Sequence, residues 1–320
     1  MTLFYVACAD DRSIHTLAME EGALRVVAVT VVPGPDGTGS SQPLAISPDR
    51  GFLYAAVRQP PYPMSRFAIG ADGGLTWLGA SDLPHAMAYI VADGAYVLGA
   101  SYPGGLVSCT PAEGGDSRVT LTPPRAHCIV PGPGGVYVPC LGGDVILRMG
   151  VEEGVLVERG RAATHAGAGP RHIRFSADGR FGYCANELDA TLDVWSVDSA
   201  GDLHAVQTVA MLPAGTVGRI AAADIHLTPN GGLVIASERL TNILSVWRRD
   251  AASGMLAHAC TVEAERVPRG FAIDPTGRFL LCAGQETGRV ASYAIDPAGG
   301  LTRLGSVAVG PNPNWIEVLG

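Results

Sequence analysis

Several residues sit where chain packing gives them no reason to be. In "GPRHIRFSADGRFGYCANE" the ends of two short apolar runs carry Arg171, His172 and Glu187. Comparable places hold Arg58 closing "YAAVR", Arg239 closing "VIASER", Arg269 in "VPRGFAI" and Gln285 closing "LLCAGQ". His127 opens an apolar run in "RAHCIV", and Asp224 and His226 lie in "ADIHLTP". A guanidinium grips carboxylate or phosphate through a planar fork. An imidazole titrates near neutrality, and a carboxylate among arginines stays ionised. This set of groups suits the holding of a small anion beside a group that moves protons.

Other chemistries are excluded by what is missing from the sequence. Lys is absent, so all 22 basic side chains are Arg. There is then no Walker A lysine, Schiff-base lysine or Ser–Lys dyad. No H-E-x-x-H, G-x-S-x-G or dinucleotide fingerprint follows a strand pattern. His and carboxylate residues do not fall at metal-ligand spacing, so no metal and no cofactor is expected. The net charge of −8 argues against nucleic acid and anionic membranes as partners. The seven cysteines include no C-x-x-C pair and read as reduced structural thiols. The start, "MTLFYVACADDR", lacks a basic n-region, and "LRVVAVTVV" is about half a membrane span. A cytoplasmic protein, monomeric or weakly dimeric, is the expectation.

The elements that must position these residues repeat. "SPDRGFLYAAVR" (47–58), "SADGRFGYCANE" (176–187), "TPNGGLVIASER" (228–239) and "DPTGRFLLCAGQ" (274–285) are one motif. "VADGAYVLGASY" (91–102) and "PGPGGVYVPCLG" (131–142) are weaker copies. Their spacing is roughly 40 to 52 residues, the period of propeller blades. Each copy predicts four antiparallel strands, with period-two alternation and Gly-containing turns. "LFYVACAD" matches a second strand and "NPNWIEVLG" a first strand, so the two termini together make a seventh blade. The prediction is all-β: one seven-bladed propeller over residues 1–320, closed by N- and C-terminal strands sharing a blade.

In a propeller the first strand of each blade lines the axis. The motif alignment then places Arg58, Glu187, Arg239 and Gln285 at second-strand ends, with Arg171 and Arg269 at first-strand starts. One step inward come His127, His172 and Asp224. A structural repeat should keep its residue types from blade to blade, as the turn glycines do, but these positions vary and many are charged. Several cations around one channel are costly unless an anion offsets them. Asp224 and His226 read either as substrate contacts or as ties between blades. The four tryptophans read as packing between blades.

The P-R-H, N-E-L, A-D-I-H and P-R-G-F motifs, in that order, resemble the seven-bladed lactonase family, in particular its bacterial 6-phosphogluconolactonase branch. The similarity runs from "FYVACADDRSIHTLAMEEGAL" to "VGPNPNWIEV". It implies hydrolysis of a small anionic lactone, 6-phosphoglucono-1,5-lactone first. Another acidic lactone, or cycloisomerisation of the carboxymuconate type, is the alternative, and a non-catalytic binding propeller is a further one. It also implies that His127, Arg171, Glu187 and Arg239 are catalytic. Glu187 would be the base, the arginines would hold the oxyanion, and His127 would be a stored acid. Arg58, His172, Asp224, His226, Arg269 and Gln285 would contact substrate.

Overall fold

The repeated turn has a local cause. In blade 5, Ser176 Oγ donates to Asp178 (2.6 Å) and accepts from the Phe181 amide (3.1 Å). In blade 6, Thr228 Oγ1 makes the same pair with Asn230 (2.7 Å) and Leu233 (3.1 Å). In blade 7, Asp274 accepts from the Phe279 amide at 2.7 Å. The fourth turn residue must take a left-handed backbone, which glycine adopts without penalty. Gly179, Gly231 and Gly277 do so at φ +70°, +68° and +71°, and blade 2 puts Arg50 there at φ +60°. Short-range side-chain bonds therefore close each hairpin before any long-range contact is needed.

The computed structural model describes residues 1–320 except 36, 38, 214 and 217. Its strands form seven four-stranded antiparallel sheets. Blade 1 joins Pro313–Val318 to Thr2–Cys8, so the termini are hydrogen-bonded to each other as the sequence predicts. The innermost strands of blades 2 to 7 are Leu44–Ile46, Tyr89–Asp93, Val130–Gly132, Pro170–Phe175, Ala222–Leu227 and Pro268–Ile273. Among the described residues the only helical element is one 3₁₀ turn, Leu141–Gly143. None of the described helices is long and apolar enough to cross a membrane.

The core lies between blades. Tyr183, Leu192, Ile225 and Trp247 pack between blades 5 and 6, and Phe4, Leu281 and Ile316 between blades 7 and 1. Each fully buried aliphatic side chain there contributes about 1.5–3 kcal/mol. The expectation for tryptophan holds for Trp195 and Trp247, which are buried. It fails for Trp77, which is 51% exposed on an outer strand. Trp315 packs against the cores of neighbouring blades and also lines the channel, because an inner strand packs one face on the axis.

One irregularity recurs where it matters. Pairing between the first two strands slips between Pro170 and His172, between Ala222 and Ile225, and between Pro268 and Gly270. In blade 1 the register also shifts, with Cys8 opposite Pro313 and Ala7 opposite Trp315. Arg171, Ala223–Asp224, Arg269 and Asn314 are the residues left out of the ladder. A bulge of this kind re-aims a side chain. Proline, lacking a donor, is tolerated at the first position of such a strand.

Candidate active site

The bulged strands bring the charged residues to one end of the channel, the upper mouth. Glu187 follows the second strand of blade 5, and its backbone N–H is held by the Gly169 carbonyl at 2.8 Å. Gly169 is required there. It has φ +65°, and a Cβ would meet Leu188 Cγ at 2.5 Å. Asp144 of blade 4 fixes the same loop by accepting from the amides of Gly167 (2.8 Å) and Gly169 (2.9 Å). Arg239 follows the second strand of blade 6. The buried Glu238 beside it ties that turn down, accepting from the amides of Leu240 (3.1 Å) and Thr241 (2.6 Å) and from Ala221.

Glu187 is shared between two guanidinium groups. Arg171 Nε lies 2.9 Å from Glu187 Oε2, and Arg239 Nη2 lies 3.0 Å from Oε1. Burial pushes the Glu187 carboxyl up, but Arg171, Arg239 and Arg269 outweigh it and hold it below the usual carboxylate range. Arg171 itself is 1% exposed. Burial, reinforced by Arg239, lowers its pKa to about 10 against the opposing pull of Glu187 and Asp224. It is steadied from behind. Its Nη1 donates to the Ala223 carbonyl and to His172 Nε2, the latter at 3.1 Å. A guanidinium has no acceptor, so His172 Nε2 accepts and its Nδ1–H donates to Asp224 Oδ1 at 2.8 Å. Asp224 Oδ2 takes His226 Nε2 at 3.1 Å. Burial and Arg171 push the His172 imidazole down to about 3, against Asp224, so the ring is neutral.

The remaining upper-mouth residues lie around this pair. Burial and the charges of Arg171, Arg239 and Arg58 push Arg269 well below its ordinary value, and Glu187 only partly opposes them. Arg269 forms no ion pair among the described residues. Arg58 Nη1 donates to Ser40 Oγ (2.6 Å) and Ser41 Oγ (3.0 Å), and its buried Nε has no partner among the described residues. Gln285 Nε2 is engaged at the rim by Asn312 Oδ1 at 2.6 Å. The His127 ring lies 5.2 Å from His172 and 5.7 Å from Tyr102. Its buried Nδ1 is likewise without a partner.

Three expectations are corrected by this geometry. His127 is not a stored acid, because burial, Arg171, His172 and two further arginines push it well below its ordinary value and keep it neutral. His172 and Asp224, expected as substrate contacts, have their polar atoms engaged by other protein groups. They form a buried tie between blades 5 and 6 that orients Arg171. His226, bonded to Asp224, faces the lower half of the channel instead. The sequence reading missed Asp144 and Glu238. A Pro followed by an axial residue (Pro170–Arg171, Pro268–Arg269, Pro313–Asn314) was the available signal for the bulges.

The model of the family described as Lactonase, 7-bladed beta-propeller matches residues 4–318. The chain belongs to that lactonase family. Relatives named 6-phosphogluconolactonase are 36% identical to this lactonase. That of Serratia proteamaculans aligns with 99% of this chain and 98% of its own, and that of Klebsiella pneumoniae with 98% of each. The periplasmic gluconolactonase of Pseudomonas aeruginosa superposes with a TM-score of 0.89 at 25% identity, covering 100% of this lactonase and 99% of that chain. A Bacteroides fragilis structure shares the fold at TM-score 0.89 and 24% identity, over 99% and 98% of the two chains.

Proposed function

We propose that this lactonase hydrolyses 6-phospho-D-glucono-1,5-lactone to 6-phosphogluconate. One observation carries the reading. Arg171, Arg239 and Arg269 surround a single carboxylate, Glu187, at one channel mouth, and Arg58 adds its charge beside Arg269. An uncompensated cluster of that sign is a receptor for an anion. Relatives carrying the 6-phosphogluconolactonase name along their whole length supply the substrate class.

Water adds to the lactone carbonyl carbon, the bond from that carbon to the ring oxygen breaks, and the new carboxyl releases a proton. In this reading Arg171 and Arg239 hold the oxyanion, and removal of one such donor would cost about 10²–10³ in rate. Glu187, clamped and ionised, is a weak base, so its role is to orient the water. Neutral His127 takes the water proton on Nδ1 and returns it to the ring oxygen. The substrate phosphate, held by Arg269 and Arg58, offsets the charges that depress His127 and so strengthens it as a base when substrate is bound.

The test compares turnover of 6-phosphogluconolactone with that of unphosphorylated gluconolactone. The expected outcome is a preference for the phosphorylated lactone of at least a hundredfold in kcat/KM, mostly abolished by Arg269→Met. Equal turnover of both lactones would move the assignment to an unphosphorylated sugar lactone.

A further inference from the structure

A second cavity opens at the other end of the channel. It measures about 310 Å³ and reaches inward to Arg171 and Arg269. Between it and the upper mouth lies a layer of rings. His172 is 5.3 Å from Tyr89 and 6.4 Å from Trp315, and Tyr89 is 4.9 Å from Trp315. Below that layer the wall is apolar, with Ile46, Val91, Val130, Ile273 and Val318 from five different blades. Lactone hydrolysis at the upper mouth uses none of these five wall residues.

Two polar groups converge on this apolar chamber. Arg174, two residues after His172 on the same inner strand, lies 5.7 Å from the Tyr89 ring centroid and 4.0 Å from Asp224. Its Nη1 donates to the Ile173 carbonyl at 3.1 Å. Glu317 accepts from the Trp315 indole N–H at 2.8 Å through Oε1. Asp224 is already occupied by His172, His226 and the Ile225 amide. Around the cavity stand Arg171, Arg174 and Arg269 against Asp224 and Glu317, so the free charge is positive when Glu317 carries a proton. A chamber with an aliphatic wall, two aromatic rings and a small convergent polar set has the character of a small-molecule pocket.

We propose that this lower chamber is a second binding site, for a small carboxylate with an apolar body, in which Arg174 and protonated Glu317 both donate to the ligand's carboxylate. Trp315 on its own strand, Arg174 on blade 5 and Asp224 on blade 6 act on Glu317, and His226 on blade 6 and Tyr89 on blade 3 line the same cavity. Burial and Asp224 raise the Glu317 carboxyl to about 7, against Trp315 and Arg174. The ligand therefore binds with uptake of a proton, and its affinity falls as pH rises through about 7. The proposal does not rest on the lactone assignment, because Arg174 and Glu317 take no part in the hydrolysis, although the cavity reaches Arg171 and Arg269.

Titration calorimetry of the full chain with benzoate, at pH 6 and pH 8, tests it. The expected result is saturable one-to-one binding, at least fivefold tighter at pH 6. Arg174→Met should weaken it at least tenfold. Glu317→Gln, which keeps a donor, should bind equally at both pH values and leave lactone turnover within twofold. The proposal is overturned if benzoate shows no saturable binding at pH 6, or if Glu317→Gln keeps the wild-type pH dependence. Competition with the lactone, with binding unchanged in Arg174→Met, would place benzoate at the upper mouth and overturn it equally.

Discussion

Blades 5 to 7 and blades 2 to 4 share one strand plan yet put different chemistry on the axis. In the first group the inner strands span six residues each and are bulged at their upper ends, presenting Arg171, Asp224 and Arg269. In the second group two of the inner strands span only three residues, and pairing is regular. Their axial residues include buried Ala86, Met87 and Ala126. The turn and the blade-to-blade core are common to both groups. The repeat thus supplies the scaffold, and a one-residue slip in three neighbouring blades supplies the charged wall. The regular half contributes Arg58 and His127 to the site, and His127 is kept neutral by the arginines opposite.

The largest break in that asymmetry should come from Arg171→Met. It leaves Glu187 with one partner and removes an oxyanion donor, so kcat/KM should fall about 10³-fold. Loss of one partner of a buried ion pair should also lower stability by about 3–5 kcal/mol, read by denaturant unfolding. Asp224→Asn should act one step back. It weakens the tie that orients His172, and steady-state kinetics should show kcat down roughly tenfold with little change in KM, as for other outer partners of a site. On the regular half, Ala86→Ser should change neither quantity measurably.

The pH dependence of stability sharpens the same contrast. His172 is neutral when folded, with its pKa depressed from 6.5 to about 3. The unfolded chain therefore binds more protons between those values, so this contribution is full above pH 6.5 and shrinks as pH falls toward 3. The thermal midpoint should drop across that window, and His172→Gln should flatten the drop. The smallest effect is expected at the turn. Arg50 occupies the left-handed position that glycine fills in blades 5 to 7. Arg50→Gly should raise stability by about 0.5–1 kcal/mol, seen as a small rise in thermal midpoint.

The sequence made the scaffold legible because its signals are local. The Ser–x–Asp–Gly turn of residues 176–179 and the alternation after it lie within a few residues of each other. The shared terminal blade could be read the same way, since "LFYVACAD" and "NPNWIEVLG" each lack what the other has. Arg171, Glu187 and Arg239 were legible as outliers from a repeat. The roles of their neighbours were not, because those depend on pairings between residues 52 apart in the chain, such as His172 with Asp224. A free-imidazole argument made His127 an acid, whereas its titration is set by burial and by arginines on three other blades. Glu317 and Arg174 gave no signal, because inner-strand residues facing the lower mouth look like ordinary alternation.

The most direct test of the account is the turnover of 6-phosphogluconolactone by Glu187→Gln, measured beside its thermal midpoint. The account predicts a protein that is still cooperatively folded at the assay temperature, with a lowered midpoint, and a loss of at least a hundredfold in kcat. A folded Glu187→Gln protein with near-wild-type turnover would contradict it.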